Sequence, residues 1–202
     1  MTRIAIIGSG NIGASLARRW SAKGHELTLG SRDPSKPGVV ALAAETGARV
    51  SGLEDAVSTG DVVVFAIPWA AMEETVAGIG AMLEGRIVID ATNNIRQEPA
   101  NSAGVILGAA PGAQYFRAFN SYGWELIERP VVGGTQADAF YCGPDGAARA
   151  VVEQLIEDVG LHPIRVGGPE QVGVVDGVLR LWIALTMGQG HNRHMALKLL
   201  EE

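Results

Sequence analysis

Three glycines near the start of the chain have a spacing that could hold phosphate groups. They follow the apolar run Arg3–Ile7 in the segment Gly8-Ser-Gly10-Asn-Ile-Gly13. The pattern G-x-G-x-x-G between a strand and a helix is typical of a dinucleotide-binding turn: the first glycine permits the tight turn, the second leaves space for the pyrophosphate, and the third allows close packing. N–H groups at the helix start would then face the phosphates. The predicted phosphate-binding residues are Gly8, Ser9, Gly10, Asn11, Ile12 and Gly13.

The end of the second predicted strand indicates which dinucleotide binds. An acidic residue there would accept a hydrogen bond from the ribose of NAD and repel the 2′-phosphate of NADP. The chain instead has Ser31 and Arg32, with Lys36 shortly after. A guanidinium can pair with a phosphate through two hydrogen bonds, so NADP is favoured over NAD. In the alternative interpretation, Arg32 is a solvated residue paired with Asp33, and Lys36 merely faces water.

Three further strand ends carry residues that could contact the rest of a dinucleotide. In open α/β sheets, ligands bind outside the carboxyl ends of the strands. Ile67, Pro68 and Trp69 are predicted to form a rigid wall beside the nicotinamide, with Trp69 as an aromatic surface. Asn93 and Asn120 could bond a carboxamide or a ribose without a charge. The alternative is that these asparagines simply end strands and form turns.

Strand-like and helix-like segments alternate along most of the chain. This pattern predicts an α/β Rossmann fold, a doubly wound and mostly parallel sheet with a short C-terminal helical extension. We expect the NADP-binding domain over residues 1–168 and the helical segment over 169–202. The predicted strands are residues 3–7, 27–29, 61–67, 86–90, 114–119, 139–142 and 162–166. The predicted helices are residues 11–23, 70–83, 146–159 and a last one that runs to residue 200.

The last helix is unusually apolar. Val174, Val178, Leu181 and Leu185 are among the apolar residues that cover nearly all of its surface. A helix of this kind should be buried. We predict that it lines an electron-acceptor pocket, with Trp182 as the floor, and that it pairs with a second subunit to form a homodimer. A core helix within one chain is the alternative.

Composition narrows the possible functions. The net charge of −6 disfavours nucleic-acid binding. Cys142, the single cysteine, permits no internal disulfide, and its apolar surroundings favour a buried structural thiol. His191 and His194 share a helical face, but without a further ligand pattern we expect no metal site. The chain starts directly on a strand, and its least charged stretch, residues 181–190, is half a membrane span. We therefore expect a cytoplasmic protein that is not bound to a membrane.

These motifs resemble a known family, the NADPH-dependent reductases of the deazaflavin coenzyme F420, which share their cofactor domain with metalloreductases of the STEAP type. The resemblance rests on the glycine segment, Gly30-Ser31-Arg32 with Lys36, Ile67-Pro68-Trp69 and Ala118-Phe119-Asn120, and it extends to Met195–Leu200. It implies hydride transfer between NADPH and a deazaflavin. It also implies that Ser9, Gly10, Asn11, Ile12, Ser31, Arg32 and Lys36 hold the phosphates of NADP.

Hydride transfer between two rings requires positioning more than acid–base groups. In agreement, no pattern in the sequence assigns a catalytic residue. Two functions remain open. The first is an NADPH-dependent oxidoreductase that acts on coenzyme F420, a flavin or another small electron acceptor, a metal chelate included. The second is a non-catalytic NADP(H)-binding sensor or regulatory protein.

Overall fold

A parallel sheet of six strands forms the centre of the protein. The computed structural model describes residues 1–96 and 98–202. The strands are β1 (Arg3–Ile7), β2 (Glu26–Gly30), β3 (Arg49–Ser51), β4 (Val62–Phe65), β5 (Ile87–Asp90) and β6 (Gln114–Arg117). They are ordered β3-β2-β1-β4-β5-β6, and every neighbouring pair is parallel. This order is that of a dinucleotide-binding Rossmann sheet, in which the direction of winding reverses between β1 and β4.

Helices cover both faces of this sheet. In chain order they are α1 (Asn11–Ala22), α2 (Pro37–Thr46), α3 (Leu53–Thr59), α4 (Met72–Ile79), α5 (Ala103–Ala109), α6 (Trp124–Glu128), α7 (Ala147–Val159) and α8 (Val172–Ile183). The helix predicted over residues 70–83 is divided into α4 and two flanking 3₁₀ turns, Trp69–Ala71 and Gly80–Leu83. Pro68 ends the preceding strand segment because it has no N–H for the ladder.

The side chains of the central strands point alternately to the two faces of the sheet, and the sheet thereby separates two apolar cores. Ile4 and Ile6 of β1 pack into one buried cluster together with Trp20 of α1. Ala5 and Ile7 point to the opposite face and pack into a second cluster. Successive side chains of a strand point to opposite faces, and a sheet covered on both faces needs apolar residues at every position. This requirement accounts for the uninterrupted apolar runs of β1 and β4.

The later strand segments lie outside the main sheet. β9 (Asp138–Tyr141) and β10 (His162–Arg165) form a separate parallel pair, connected by α7. β7 (Val131–Val132) and β8 (Thr135–Gln136) form a small hairpin. A single bridge between Arg117 and Cys142 joins β6 to the end of β9 in antiparallel orientation. The doubly wound fold is confirmed, and the β9–β10 pair extends it as an addition beside β6.

The C-terminal segment differs from its prediction. Helix α8 continues through a π-helical turn, Ala184–Gly188, and residues 189–202 form neither helix nor strand. The prediction of a helix to residue 200 is therefore wrong, as is the shared helical face of His191 and His194. Gly190 has a φ of +74°, which ends helical geometry. The segment then returns across the protein, where the Leu199 N–H and the Lys198 ammonium both donate to the buried Asp138 carboxylate.

One helical stretch, Pro169–Gly188, is long and apolar enough by composition to resemble a membrane span, with a mean hydropathy of 1.2. It is longer than the stretch of residues 181–190 identified in the sequence. The buried residues of α8, Val175, Asp176, Leu179 and Trp182, lie on one side of the helix. Trp182 packs into the buried cluster that contains Trp20, and Asp176 pairs with Arg117. This one-sided packing is typical of a helix on the surface of a soluble α/β fold. The division into residues 1–168 and 169–202 stays a prediction.

Candidate functional site

The glycine turn lies at the reversal point of the sheet, between the ends of β1 and β4. Gly8 has a φ of +116°, and a Cβ there would lie 2.5 Å from the Ala66 carbonyl oxygen. A Cβ on Gly13 would lie 2.0 Å from the Gly8 carbonyl oxygen. Both positions therefore require glycine for the protein's own packing. Gly10 differs, because no described atom lies within 4 Å of its ideal Cβ. Its missing side chain leaves open space at the start of the groove.

Helix α1 begins at this open space. Gly10 is its N-cap, no side chain among the described residues caps the turn, and the first turn contains no acidic residue. The free N–H groups and the positive end of the helix dipole therefore face the groove. This arrangement suits a pyrophosphate.

A first cavity of about 420 Å³ opens from the turn toward the end of β2. Eight of the predicted residues line it: Gly8, Ser9, Gly10, Ser31, Arg32, Lys36, Ile67 and Pro68. Val39, Leu53 and Ala71 contribute an apolar wall. The cavity thus joins an apolar surface suited to a flat base with two cationic side chains at its rim.

Arg32 is paired across this cavity with Glu74 of α4, at 2.8 Å between Nη1 and Oε2. The alternative pairing of Arg32 with Asp33 is wrong. Asp33 accepts instead from the N–H and hydroxyl of Ser35, and these bonds hold the pKa of Asp33 below its usual value. The Ser31 hydroxyl closes the same loop, since it donates to the Asp33 carbonyl at 2.9 Å. The loop is thereby shaped around Arg32.

A second cavity of about 370 Å³ lies beyond the ends of β4 and β5, beneath α8. It shares Gly10, Ala66, Ile67 and Pro68 with the first cavity, so the two are continuous around the glycine turn. Of the predicted residues, Asn11, Ile12 and Asn93 also line it. Its far wall contains Trp182, Ile183 and Met187 of the C-terminal segment. That this segment lines an electron-acceptor pocket stays a prediction.

Gly13, Trp69 and Asn120 line neither of these cavities. Gly13 serves packing, as described. The half-buried Trp69 indole donates to the Asn101 carbonyl at 3.1 Å, because the 3₁₀ turn after Pro68 directs it toward the start of α5. Asn120 is fully buried, and its backbone carbonyl accepts a 2.9 Å bond from the Asn93 amide. Asn120 therefore acts on the site through Asn93.

The chain bends sharply before Asn120. Phe119 has a φ of +60°, a conformation that costs a bulky residue energy and persists only where packing enforces it. Here the ring of Phe119 packs edge-to-face on Trp20, with 5.7 Å between centroids. The bend turns residues 120–124 toward the second cavity, which Tyr122, Gly123 and Trp124 line.

Several buried polar atoms beside the second cavity have no hydrogen-bond partner among the described residues. They are both amide atoms of Asn120, the Tyr122 hydroxyl and the Trp182 indole nitrogen. Burial raises the pKa of Tyr122 far above its ordinary value, so the hydroxyl remains protonated. Buried polar groups normally have partners. Their concentration here marks this cavity as a place where a ligand or ordered water completes the structure.

Arg193 of the C-terminal segment forms the outer rim of the second cavity. Its guanidinium lies 4.9 Å from the centre of the Trp182 ring, and its Nε donates to Glu125 at 2.7 Å. Burial would raise the pKa of Glu125, but Arg193 outweighs it and holds the pKa below its usual value. Sequence reasoning did not identify Arg193, because it placed this residue on a continuous helix.

Arg117 is the other residue that sequence reasoning missed. It is fully buried at the end of β6 and contacts Asp90 and Asp176, at 3.4 and 2.9 Å. Burial opposes its charge, but the two carboxylates prevail and raise the pKa of Arg117 above its ordinary value. The sequence feature that could have identified Arg117 is an arginine in an otherwise apolar strand.

No group of three or more metal-ligand side chains occurs within residues 1–96 and 98–202. His194 instead bonds the Arg129 carbonyl through Nε2 at 2.8 Å. Cys142 is fully buried, and burial raises the pKa of its thiol to about 11, so it stays protonated at neutral pH. It is a structural thiol.

The strand order, the open helix N-terminus and the paired cavities define a dinucleotide-binding protein of the Rossmann class. Comparisons with known proteins narrow this class. Residues 3–94 match the model of the family described as NADP oxidoreductase coenzyme F420-dependent. The nucleotide-binding part of the chain is therefore similar to that family, and the protein is an NADP-dependent oxidoreductase.

Individual relatives agree on the cofactor domain and differ in their reactions. The chain is 28% identical to the F420-dependent NADP reductase of Methanothermobacter thermautotrophicus, covering 92% of this chain and 89% of the relative. It is 26% identical to the Metalloreductase STEAP3 of Rattus norvegicus, over 89% of this chain but only 37% of that protein. A crystal structure from Arthrobacter sp. FB24, with a provisional assignment as an F420-dependent NADP reductase, has the same fold at a TM-score of 0.82 and 24% identity, covering 96% of this chain and 97% of that one.

Proposed function

We propose that the protein transfers a hydride between NADPH and a deazaflavin such as coenzyme F420, or a related flavin-like acceptor. The observation that carries this proposal is the continuity of the two cavities at Gly10, Ile67 and Pro68. A dinucleotide that follows the groove would bring its nicotinamide to the boundary of the second cavity. A ring held there would face whatever occupies that cavity.

Each part of the groove fits one part of NADPH. The rim with Arg32 and Lys36 suits the 2′-phosphate, and the start of α1 suits the pyrophosphate. Pro68 and Asn93 border the nicotinamide end. The nicotinamide supplies a hydride, two electrons with one hydrogen nucleus, so that NADPH is oxidised and the acceptor is reduced.

The second cavity suits a flat aromatic acceptor. Tyr122, Trp124 and Trp182 provide ring surfaces, and Met187 adds a polarisable side chain. The residues orient the two rings and exclude water, which is what direct hydride transfer requires.

A homodimer belongs to the same proposal. Val174 and Leu181 each expose about half of their surface on the outer side of α8. Apolar groups repeated along one exposed helix are typical of a self-pairing surface. We place the protein in the cytoplasm, in contact with small molecules and with neither nucleic acid nor membrane.

The test mixes the protein with NADPH and, in separate reactions, with coenzyme F420, FMN or a ferric chelate, and follows the nicotinamide absorbance. We expect the fastest oxidation with coenzyme F420. Faster oxidation with FMN or the chelate would identify a flavin or metal reductase instead. Tight NADPH binding without oxidation by any acceptor would refute the enzyme and indicate the sensor.

A further inference from the structure

Asn93 has a fixed orientation at the border of the second cavity. Its side-chain oxygen accepts a 2.8 Å hydrogen bond from Nη2 of Arg117, and its side-chain nitrogen donates to the Asn120 carbonyl at 2.9 Å. Arginine can only donate, and a carbonyl can only accept. The two partners therefore assign the amide without ambiguity. The oxygen faces the interior, and the second hydrogen of the nitrogen remains for a ligand.

Arg117 is held in place by every part of its guanidinium. Nε donates to Asp176 at 3.0 Å, and Nη1 donates to the carbonyls of Asp90 and Thr92. Nη2 bonds Asn93 and also lies 2.9 Å from Asp176. A planar guanidinium with this many partners cannot rotate without losing several hydrogen bonds at once.

The two carboxylates are themselves fully bonded. Asp90 accepts from the Thr92 hydroxyl, the Ser102 N–H and the Tyr115 hydroxyl, at 2.6, 2.7 and 2.9 Å. Asp176 accepts from the Asn101 amide at 2.7 Å and belongs to α8, which carries the far wall of the second cavity. The network thus connects the Rossmann sheet, Asn93 and the wall of the cavity.

We propose that Arg117 is a positioning residue that makes Asn93 a hydrogen-bond donor to an accepting oxygen on the nicotinamide half of the coenzyme. This inference rests on the proposed function, because it assumes that NADPH occupies the groove. The accepting oxygen is either the carboxamide carbonyl or a ribose hydroxyl. The Asn93 oxygen accepts from Arg117 on the interior side, so the remaining N–H of Asn93 is the group offered to the coenzyme.

The experiment measures equilibrium binding of NADP⁺ and of its thionicotinamide analogue, whose sulfur accepts hydrogen bonds poorly. Asn93→Asp keeps an oxygen that accepts from Arg117, but it removes the N–H bond to the Asn120 carbonyl as well as the proposed one to the coenzyme. We expect it to weaken NADP⁺ binding by about tenfold or more, since the loss of one hydrogen bond to a charged or polar ligand already has this effect. Asn94→Asp is the matched control. It introduces the same charge one residue away, at a position that does not line the second cavity.

The analogue identifies the oxygen. If the wild-type protein binds the thionicotinamide form several-fold more weakly, and Asn93→Ala abolishes this difference, Asn93 donates to the carboxamide. If the two coenzymes bind equally and Asn93→Ala weakens both alike, Asn93 donates to the ribose. If Asn93→Asp and Asn93→Ala both bind NADP⁺ as the wild type does, the inference is overturned.

The role of Arg117 is tested by combining a substitution of Arg117 with one of Asn93 and comparing the effects on NADP⁺ binding. Arg117→Lys should weaken NADP⁺ binding in the wild type but have no further effect in the Asn93→Ala background. A further loss in that background would show a merely structural role and overturn the assignment. Tyr115→Phe is the control, because it removes a bond in the same network without contacting Asn93. If Arg117→Lys does not fold, the Asn93 variants still decide whether the donor exists. Wild-type protein that binds no NADP⁺ would refute the proposed function itself.

Discussion

The Arg32–Glu74 ion pair predicts opposite effects for substitutions at its two ends. In the free protein Arg32 is paired with Glu74, whereas a 2′-phosphate at the rim of the first cavity would need the same guanidinium. Arg32→Ala should therefore weaken NADPH binding and leave NADH binding unchanged. Glu74→Gln should strengthen NADPH binding, because it releases Arg32 and removes a negative charge near the phosphate.

The size of both affinity changes can be worked out from how exposed Arg32 and Glu74 are. The side chains of Arg32 and Glu74 are 61% and 73% exposed, so their pair stabilises the free protein by at most about 1 kcal/mol. A charge-assisted bond from Arg32 to a phosphate contributes about 1.5–3 kcal/mol. The difference is about 1–2 kcal/mol, so Arg32→Ala should reduce NADPH affinity about five- to thirtyfold. Glu74→Gln should raise it by no more than about fivefold.

Titration of each variant with NADPH and NADH, followed by nicotinamide fluorescence at low and high salt, measures both effects. Arg3→Ala is the matched control, since Arg3 forms a similarly exposed pair with Asp61 next to the start of β1. An equal loss of NADPH and NADH affinity in Arg32→Ala would show that Arg32 does not contact the 2′-phosphate. Weaker NADPH binding in Glu74→Gln would show that Glu74 orients Arg32 rather than competing for it.

Three further predictions concern the turn, the C-terminal segment and α8. Gly13→Ala should destabilise the protein by more than about 2 kcal/mol in urea unfolding. Gly10→Ala should leave the unfolding curve unchanged and weaken NADPH binding. Equal unfolding curves for the two variants would refute the packing argument. Burial would raise the pKa of Asp138, but Lys198, the Leu199 N–H and His162 lower it. The stabilising effect of the Asp138 carboxylate is therefore present above about pH 4 and is lost as the pH falls through the lowered pKa. Asp138→Asn should therefore lower the melting temperature at pH 7 by several degrees and reduce its acid dependence below pH 4, and an unchanged melting curve would contradict this. Leu181→Glu should convert the proposed homodimer to a monomer in sedimentation, and a dimer that persists would place the interface elsewhere.

The nucleotide-binding half was predictable because its signals are local. The β1 strand, the glycine turn and the start of α1 lie within some twenty consecutive residues, and each glycine's role follows from backbone geometry alone. Even here the contact made by Arg32 was not predictable, because Glu74 is distant in sequence. An exposed arginine in a flexible loop has several acidic partners within reach, and only the folded chain selects one.

The second cavity was less predictable because distant segments assemble it. Arg117 contacts Asp90 and Asn93 at the end of β5 and Asp176 in α8, two segments that are far apart in the chain. The residues after Gly188 were predicted to continue the helix to residue 200, although Gly188 and Gly190 lie in this stretch and glycine disfavours a helix. Their real conformation depends on Asp138, whose buried carboxylate binds the Leu199 N–H and Lys198. Such tertiary contacts override local propensity.

The two cavities are formed by different parts of the chain, and this has a consequence for how the substrates of such proteins can change in evolution. The first cavity is built from residues 7–75, whereas most of the far wall of the second comes from residues 179–193. If the second cavity holds the acceptor as proposed, replacement of the terminal segment would exchange the acceptor while the coenzyme stays the same. Evolution could recombine the two halves at Gly167-Gly168, and a laboratory chimera joined there could do the same.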